Sequence, residues 1–470
     1  MARYEELAKD IRNQIANSTW RSGEKIPSVR ASCKSYGYSI ATVLQAYQLL
    51  ESEGWLIAKP QSGYFVAPQI EHLKLAQLAS SPVEKTESKT VEINDILFDV
   101  LQRNIDPSLL PLSSAFPEPS LFPLQTLARS LSSASRQMSE DSAIVNLPPG
   151  SESLRRQIAQ RYIKRGVVVN PEHIVITAGA LEALNLSLQV LTQPGDIVVI
   201  ESPAFYGALQ AIERLNLRAV EVKTDPVHGV DLNDLADIVK RMDVKACWFM
   251  TNFQNPLGFC MSDGNKRKMM KLLAKHQVSL IEDDVYSELY FGDDHPKPAQ
   301  AFDDSGNVFL CGSFSKCLSP GYRVGWVVSE RHSDKIQRTQ LMSTLSSSVP
   351  TQLGLTHYLQ YGGYDNHLRK LRKSLHERKV KMRQAIEQYF PEGTLVTDPS
   401  GGYFLWIEMT NGACGQAIYE AALTRGIAIA PGILFGAQEK FSHHIRINCS
   451  YDCEDDVLAS VQTLGELAAQ

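Results

Sequence analysis

The stretch SFSKCLSPGYRVG, residues 313–325, places Lys316 and Arg323 directly after an apolar run, VFLCGS. Burying a lysine is costly unless a partner or a ligand compensates the ammonium group for its lost hydration. A short continuous apolar run is typical of a strand buried in an α/β sheet, where ligands bind beyond the carboxyl ends of the strands. The stretch therefore predicts that Lys316 belongs to a ligand site at a sheet edge.

Similar apolar runs recur along the chain and alternate with helical segments. They are IVIT (174–177), IVVIE (197–201), ACWFMT (246–251), VSLIED (278–283), VFLCGS (308–313) and RVGWVV (323–328). Continuous apolar strands separated by helices predict an α/β fold with a mainly parallel central sheet. Further along, a long amphipathic helix (368–390) precedes the runs YFLWIEM, IAIAPG and HIRINCS, which predict a small C-terminal α+β subdomain.

Polar residues stand where these strands are expected to end. After IVIT, Gly179 and Ala180 begin a helix whose first backbone N–H groups suit a phosphate. An amide, a carboxylate and a phenol follow other strands, at Asn255, Asp283 and Tyr286. Pyridoxal phosphate has a phosphate, a ring nitrogen and an aldehyde, so it is a ligand that uses all these groups together with Lys316.

The N-terminal residues have the pattern of three helices followed by a β-hairpin. Leu7, Ile11 and Ile15 share one face of the first helix, Gly37 ends the second, and Ser39 caps the third. The runs WLIAK and YFVA, separated by the turn residues PQSG, predict two short strands. This order of elements predicts a winged helix-turn-helix domain.

Length and composition predict the division of the chain. A chain of 470 residues is too long for one core. Residues 69–92 are rich in Ser, Pro, Lys and Glu and lack a sustained apolar stripe, which is typical of a linker. We therefore predict a winged-helix domain at 1–68, a linker at 69–92 and a large domain at 93–470.

Charge and residue usage exclude several classes of protein. The net charge of −5 argues against a protein that coats nucleic acid with its whole surface, but it allows one small basic module. No secretory signal and no membrane span is visible, so we expect a cytoplasmic protein with no membrane partner. The eight cysteines lack metal-ligand spacing, so no metal site is expected.

Taken together, these motifs resemble a known family. Residues 93–470 resemble the fold-type I aminotransferases of class I/II, through the S-x-S-K motif at 313–316 and the strand-end residues above. The whole chain resembles the MocR/GabR-type regulators, particularly the YdcR-like members, in which a GntR-type winged helix is fused to such a domain. The motif GEKIPSVR, residues 23–30, matches the GntR pattern.

The resemblance implies a role for each polar group at the sheet edge. Lys316 is the residue that bonds to pyridoxal phosphate covalently, Asp283 faces the ring nitrogen, and Arg446 binds the carboxylate of an amino compound. The other cofactor contacts that it implies are Asn255 and Tyr286 at the ring oxygen, Phe205 stacked on the ring, and Ser313, Ser315, Arg323, Gly179 and Ala180 around the phosphate.

Three positions depart from the family pattern. Asn146 stands where a tyrosine often reaches the phosphate of the partner subunit, Phe205 replaces a tyrosine, and Ala180 replaces a serine or threonine. Each change removes a hydroxyl donor, so these departures predict weaker contacts with the cofactor.

In the winged helix, the resemblance implies a DNA-reading surface. Arg30 contacts the DNA backbone or a base, Ser39 and Thr42 contact phosphates, and Gln45 contacts a base edge. The wing tip, Lys59 with Gln61, Ser62 and Gly63, lies along the minor groove. The family often has arginine after the capping serine, where this chain has Ile40, so no base preference carries over at that position.

The sequence thus predicts a homodimeric transcriptional regulator that binds pyridoxal phosphate and an operator with repeated half-sites. Its large domain would sense the cofactor itself or an amino-compound effector. Two alternatives stay open at this point. One is a functional aminotransferase with an accessory N-terminal module, and the other is a scaffold that binds no cofactor.

Overall fold

The computed structural model describes residues 3–16, 19–20, 23–52, 55–59, 63–67, 95–140, 147–436 and 439–470. The chain separates into two compact units, residues 1–76 and 77–470. The linker that we predict at 69–92 lies outside the described residues, so the domain boundaries stay a prediction. In the described part of the chain, no helix combines the length and the apolar character that crossing a bilayer requires.

The N-terminal unit contains the predicted three helices and hairpin. They are α1 (Arg3–Ala16), α2 (Val29–Tyr36), α3 (Ile40–Ser52), β1 (Leu56–Lys59) and β2 (Gly63–Val66). Leu7, Ile11 and Ile15 are buried in its core, as their helical spacing predicts. Gly37 ends α2 with φ of 70°, and the Ser39 hydroxyl accepts the N–H of Thr42 at the start of α3. The predicted winged helix-turn-helix is confirmed.

The C-terminal unit alternates strands and helices. Its described helices are α4 (Asp95–Arg103), α5 (Leu124–Arg136), α6 (Glu152–Lys164), α7 (Ala180–Leu191), α8 (Tyr206–Arg214), α9 (Leu232–Arg241), α10 (Asp263–His276), α11 (Ser333–Ser343), α12 (Val349–Tyr361), α13 (Tyr364–Tyr389), α14 (Gly415–Leu423) and α15 (Asp455–Ala468). Its described strands are β3 (Leu110–Pro111), β4 (Ile174–Thr177), β5 (Ile197–Ser202), β6 (Arg218–Asp225), β7 (Gly229–Val230), β8 (Val244–Phe249), β9 (Ser279–Asp283), β10 (Val308–Ser313), β11 (Gly325–Val328), β12 (Leu395–Val396), β13 (Phe404–Glu408), β14 (Ile427–Ala428), β15 (Ala430–Pro431) and β16 (His444–Asn448).

The central sheet has the order β4-β11-β10-β9-β8-β5-β6-β7 among the described strands. Strands β10, β9, β8, β5 and β6 are parallel to their neighbours in this series, which confirms the mainly parallel sheet. Successive side chains of β5 pack into two different apolar cores. Val199 belongs to one core, and Val198 and Ile200 belong to the other. Both faces of the sheet are therefore covered, which explains why its strands read as continuous apolar runs.

Two strands differ from the sequence prediction. The run RVGWVV forms β11, which is antiparallel to both β10 and β4, because the short connection from β10 leaves no room for a helical crossover. Strand β6, RAVEVKTD, was missed because charged residues interrupt its apolar pattern, although most of it is buried. In the small subdomain, β12, β13, β16 and β15 form an antiparallel sheet, which brings Arg446 of β16 beside Trp406 of β13.

Candidate functional site

The site centres on Lys316, three residues beyond the end of β10. Its side chain is mostly buried, and the ammonium group donates a hydrogen bond to the carbonyl of Ala115 over 2.7 Å. The Nζ atom lies 4.2 Å from the centre of the Phe116 ring and 5.4 Å from that of Tyr286. Burial lowers the pKa of Lys316 to about 7, against the attraction of Asp283, so much of this amine is uncharged near neutral pH.

Asp283 ends β9 on the neighbouring strand, where it pairs in register with Cys311 of β10. Its side chain is 2% exposed, and its Oδ1 atom has no hydrogen-bond partner among the described residues. Burial raises the pKa of Asp283 to about 7, and the nearby charge of Lys316 opposes this rise. A buried carboxylate oxygen without a donor suits a cationic ring nitrogen.

Arg446 reaches the same region from the small subdomain. Its guanidinium is fully buried and donates hydrogen bonds to Asn255 Oδ1 over 3.0 Å and to the carbonyl of Ser113. The rings of Phe404 and Phe435 lie 4.3 and 5.2 Å from its central carbon. Within the described residues, Arg446 Nε and Asn255 Nδ2 are buried donors without a partner. They suit a carboxylate and a ring hydroxyl oxygen, respectively.

Phenols surround this guanidinium, and only one of them is among the predicted site residues. The predicted Tyr286 is buried against the rings of Tyr403 and Phe404, with 5.6 Å between ring centres in each case. Burial raises the pKa of Tyr206, and the charge of Arg446 lies close enough to oppose that rise. Tyr206 and Tyr403 were missed because neither stands at the end of an apolar run.

The predicted phosphate contacts form a second group. Gly179 has φ of 97° and precedes α7, and a Cβ atom there would come within 2.6 Å of Arg323 Nη2. Arg323 donates a hydrogen bond to the carbonyl of Ala178 over 2.9 Å. Gly325 approaches this turn so closely that a Cβ atom would lie 2.6 Å from Ala180 N. Glycine is therefore required both in the turn that opens α7, at Gly179, and on the neighbouring strand β11, at Gly325.

Ser313 ends β10, and Ser315 precedes Lys316 in the chain. Both are buried, and the Ser315 N–H donates to Ser313 Oγ over 3.4 Å. The positive charge of Arg323 also acts on Lys316, so the two groups belong to one site. Asn146 lies outside the described residues.

Phe205 has its described ring–ring contact within its own segment of the chain. Its half-buried ring packs over Gly207 and lies 4.7 Å from the ring of Tyr206, centre to centre. No described contact joins it to Lys316 or Asp283, so its stacking on a cofactor ring stays a prediction.

In the N-terminal unit, the predicted DNA contacts are accessible. Arg30, Ser39, Gln45, Lys59 and Gly63 are exposed, and Thr42 is half-buried. The Ser39 and Thr42 hydroxyls lie 2.9 Å apart, so the cap that starts α3 also holds the two predicted phosphate ligands together. Lys59 extends over the ring of Phe65 at 4.6 Å. Gln61 and Ser62 of the wing tip lie outside the described residues.

Two family models match the sequence. The model of class I and II aminotransferases matches residues 119–460, and the model of the bacterial regulatory proteins of the gntR family matches residues 3–66. Both units of the chain are therefore accounted for by separate families.

Two known regulators match nearly the whole chain, and a solved aminotransferase structure matches four fifths of it. The uncharacterized HTH-type transcriptional regulator YdcR of Escherichia coli K12 is 50% identical over 467 residues, which is 99% of each chain. YjiR of the same organism is 34% identical and covers 99% of this chain and 98% of its own. The crystal structure of Pyrococcus horikoshii kynurenine aminotransferase, in complex with PMP, matches with a TM-score of 0.75 and 27% identity over 80% of this chain and 95% of its own.

Proposed function

This chain belongs to the MocR-type transcriptional regulators, in which a GntR-type DNA-binding domain is fused to a class I/II aminotransferase domain, and we propose that its large domain binds pyridoxal phosphate at Lys316 to sense the cofactor or an amino compound. The observation that carries the proposal is the pairing of a partly uncharged, buried lysine with a buried carboxylate that lacks a donor. Placing two titratable groups there costs the fold more than an apolar pair would, which favours a ligand that uses both.

Each residue of the site has a separate task in this proposal. Pyridoxal phosphate, when bound, supplies an aldehyde and an electron-withdrawing ring. Lys316 is the amine that holds the aldehyde covalently, and Asp283 keeps the ring nitrogen protonated. Asn255 and Tyr286 orient the ring through its hydroxyl oxygen, while the turn at Gly179 and Ala180 binds the phosphate together with Ser313, Ser315 and Arg323.

Arg446 supports an effector that carries a carboxylate. Its buried guanidinium has one free N–H among its described contacts and an aromatic enclosure that excludes water. Arg446 would hold such an effector by its carboxylate, so that its amine could compete with Lys316 for the aldehyde of the cofactor. A difference in affinity of about 1–3 kcal/mol between two arrangements of the regulator is enough to change operator occupancy. In a homodimer, two winged helices recognise repeated half-sites.

The decisive experiment is a spectral titration of the purified full-length protein. Common amino acids and amines are added to the cofactor-loaded chain, with and without operator DNA, and the visible band is followed. An effector should shift the band at a concentration that operator DNA changes, because coupling between two sites is reciprocal. A band that no amine shifts leaves the cofactor itself as the signal, and a colourless protein contradicts the proposal.

Cofactor incorporation should depend on pH with a midpoint near 7. Only the uncharged amine attacks an aldehyde, and the pKa of Lys316 is lowered to about 7 by burial. The rate should rise steeply below pH 7 and level off above pH 8, whereas an ordinary lysine, with a pKa of about 10.4, would give a continued rise to pH 10. Stopped-flow absorbance of cofactor-free protein mixed with pyridoxal phosphate measures this rate.

Arg30→Ala should weaken operator binding without changing the visible band. Arg30 is exposed on α2, so its loss removes a DNA contact and leaves the core intact. We expect a loss of about 1–2 kcal/mol and a lower salt dependence of binding. Fluorescence anisotropy at several salt concentrations measures both, with Lys9→Ala on α1 as the charge-matched control. An unchanged salt slope would mean that Arg30 is not part of the reading surface.

A functional aminotransferase is the second candidate, and the lowered pKa of Lys316 favours it, because a free amine near neutral pH also suits turnover. A single-turnover experiment separates the two functions. Conversion of the bound cofactor to its amine form at the rate of an enzyme supports the aminotransferase, and binding of an amine without conversion supports the sensor.

A further inference from the structure

A cavity apart from the cofactor site opens on the C-terminal unit between α6, α13 and the loop at 288–297. Its volume is about 700 Å³, and none of the cofactor-site residues named above lines it. We call it the basic cleft. It has six cationic lining residues, Arg161, Lys164, Arg165, Lys297, Arg369 and Arg372, against three acidic ones, Glu288, Asp293 and Asp365. The cleft therefore carries a net charge of +3 on its walls, although the whole chain is acidic.

Several of these cations are held in place before any ligand arrives. Arg161 donates to Glu288 and to Asp365 over 2.8 Å in each case. Arg372 lies over the ring of Tyr290 at 4.1 Å, and that ring stacks on His295 at 4.5 Å. Fixed side chains lose little conformational entropy when a ligand binds, so this wall is preorganised for binding.

Three of the six cations in the cleft are not neutralised by an ion pair. In the described part of the chain, Lys297, Arg369 and Arg372 form no salt bridge. The Lys297 stem lies beside Gly166, where a Cβ atom would come within 3.6 Å of Lys297 Cε. His295 Nε2 and Glu288 Oε2 lie 3.8 Å apart nearby, and neither has a hydrogen-bond partner among the described residues. The cleft thus has positive charge that no acidic side chain of the described residues neutralises.

We propose that the basic cleft binds a small anion with two or more negative charges, of the polycarboxylate or phosphate class. Its volume matches that of small-molecule sites, and arginine binds carboxylate and phosphate groups through paired N–H donors. A long DNA backbone fits less well, because Asp293 and Asp365 line the cleft and repel a continuous row of phosphates. A compact anion avoids them by lying between the cations.

A buried hydrogen-bond network leads from the cleft to Asp284, the neighbour of Asp283 in the chain. The cleft residue Arg165 forms a two-point ion pair with Asp284, at 2.5 and 3.2 Å. Asn252 donates to Asp284 over 2.8 Å and to the carbonyl of Lys297 over 3.3 Å. An anion that pairs with Arg165 or Lys297 therefore disturbs the contacts of Asp284, the residue next to Asp283. This coupling rests on the proposed function, whereas anion binding does not.

Isothermal titration calorimetry of the full-length, cofactor-loaded protein tests the site directly. Citrate and pyrophosphate are the two probes, each at matched ionic strength, and the tighter one assigns the chemical class. The variant Lys297→Gln/Arg369→Gln removes two of the three cations outside ion pairs and should weaken binding about tenfold or more. The matched control Lys240→Gln/Arg241→Gln changes the same charges on α9 and should bind as the unmodified protein does.

Any one of the following outcomes overturns the proposal. Neither probe binds, the cleft variant binds both as tightly as the control, or binding is lost in Arg323→Gln instead, which would place the anion at the cofactor phosphate site. If pyrophosphate does not bind and duplex DNA of unrelated sequence is the only competitor that displaces citrate, the cleft is assigned to nucleic acid instead. A colourless protein that still binds citrate through the cleft contradicts the cofactor proposal alone.

Discussion

The Lys316→Ala variant should fold, bind operator DNA and show no visible cofactor band. The side chain makes one hydrogen bond, to Ala115, and its burial opposes its charge, so removing it costs the fold little. Covalent attachment of pyridoxal phosphate should fall to zero, since alanine carries no amine. Absorbance spectroscopy and mass spectrometry after borohydride reduction measure the loss.

Matched variants separate chemistry from packing in this prediction. Lys316→Met keeps most of the volume without the amine, so it should behave like Lys316→Ala even if a cavity destabilises the alanine variant. Lys335→Ala, an exposed lysine on α11, should keep the full band. A reduced adduct on any residue other than Lys316 would refute the proposed site.

Asp283→Asn should lower the affinity for the cofactor and raise the stability of the cofactor-free fold. Without the carboxylate, the ring nitrogen loses its anionic partner, so affinity for pyridoxal phosphate should fall by about 2 kcal/mol or more, which is about thirtyfold. Without the cofactor, the same change removes a buried acid that lacks a donor on Oδ1. The free energy of unfolding of the cofactor-free chain should therefore rise by about 1–3 kcal/mol at pH 8.

The sign of that gain follows from the pKa of Asp283. Burial raises it to about 7, whereas an unfolded aspartate titrates near 4, so the folded state binds more protons than the unfolded state between these values. Stability contributed by this group therefore falls as pH rises from about 4 to 7. The advantage of Asp283→Asn should be largest at pH 8 and small at pH 5.

Urea unfolding at the two pH values and a fluorescence titration with pyridoxal phosphate test both halves. Asp237→Asn on α9, an exposed aspartate, is the control and should change neither quantity. Unchanged cofactor affinity would mean that Asp283 does not face the ring nitrogen.

The N-terminal unit was predicted almost completely from the sequence. Its core residues repeat with the helical period, and its element ends carry local signals, such as Gly37 after α2 and Ser39 before α3. Interactions between near neighbours in the chain decide such features, so no tertiary information is needed to find them.

The large domain was predicted less evenly. Its apolar runs gave the parallel strands because burial on both faces demands apolar residues throughout. The same argument did not predict that β11 is antiparallel, because a pattern of apolar residues carries no information on strand direction. It also did not predict β6, because charged side chains interrupt the apolar pattern of this buried strand.

By itself, the sequence determined which residues stand at the ends of the strands, and so which chemical groups one sheet edge presents. Only the tertiary structure decided what surrounds them: the carbonyl of Ala115 on Lys316, the phenol of Tyr206 near Arg446, and the cations of the basic cleft. These groups come from segments far apart in the chain. Local patterns report burial and hydrogen bonding within one segment, whereas contacts between distant segments arise only when the whole chain packs.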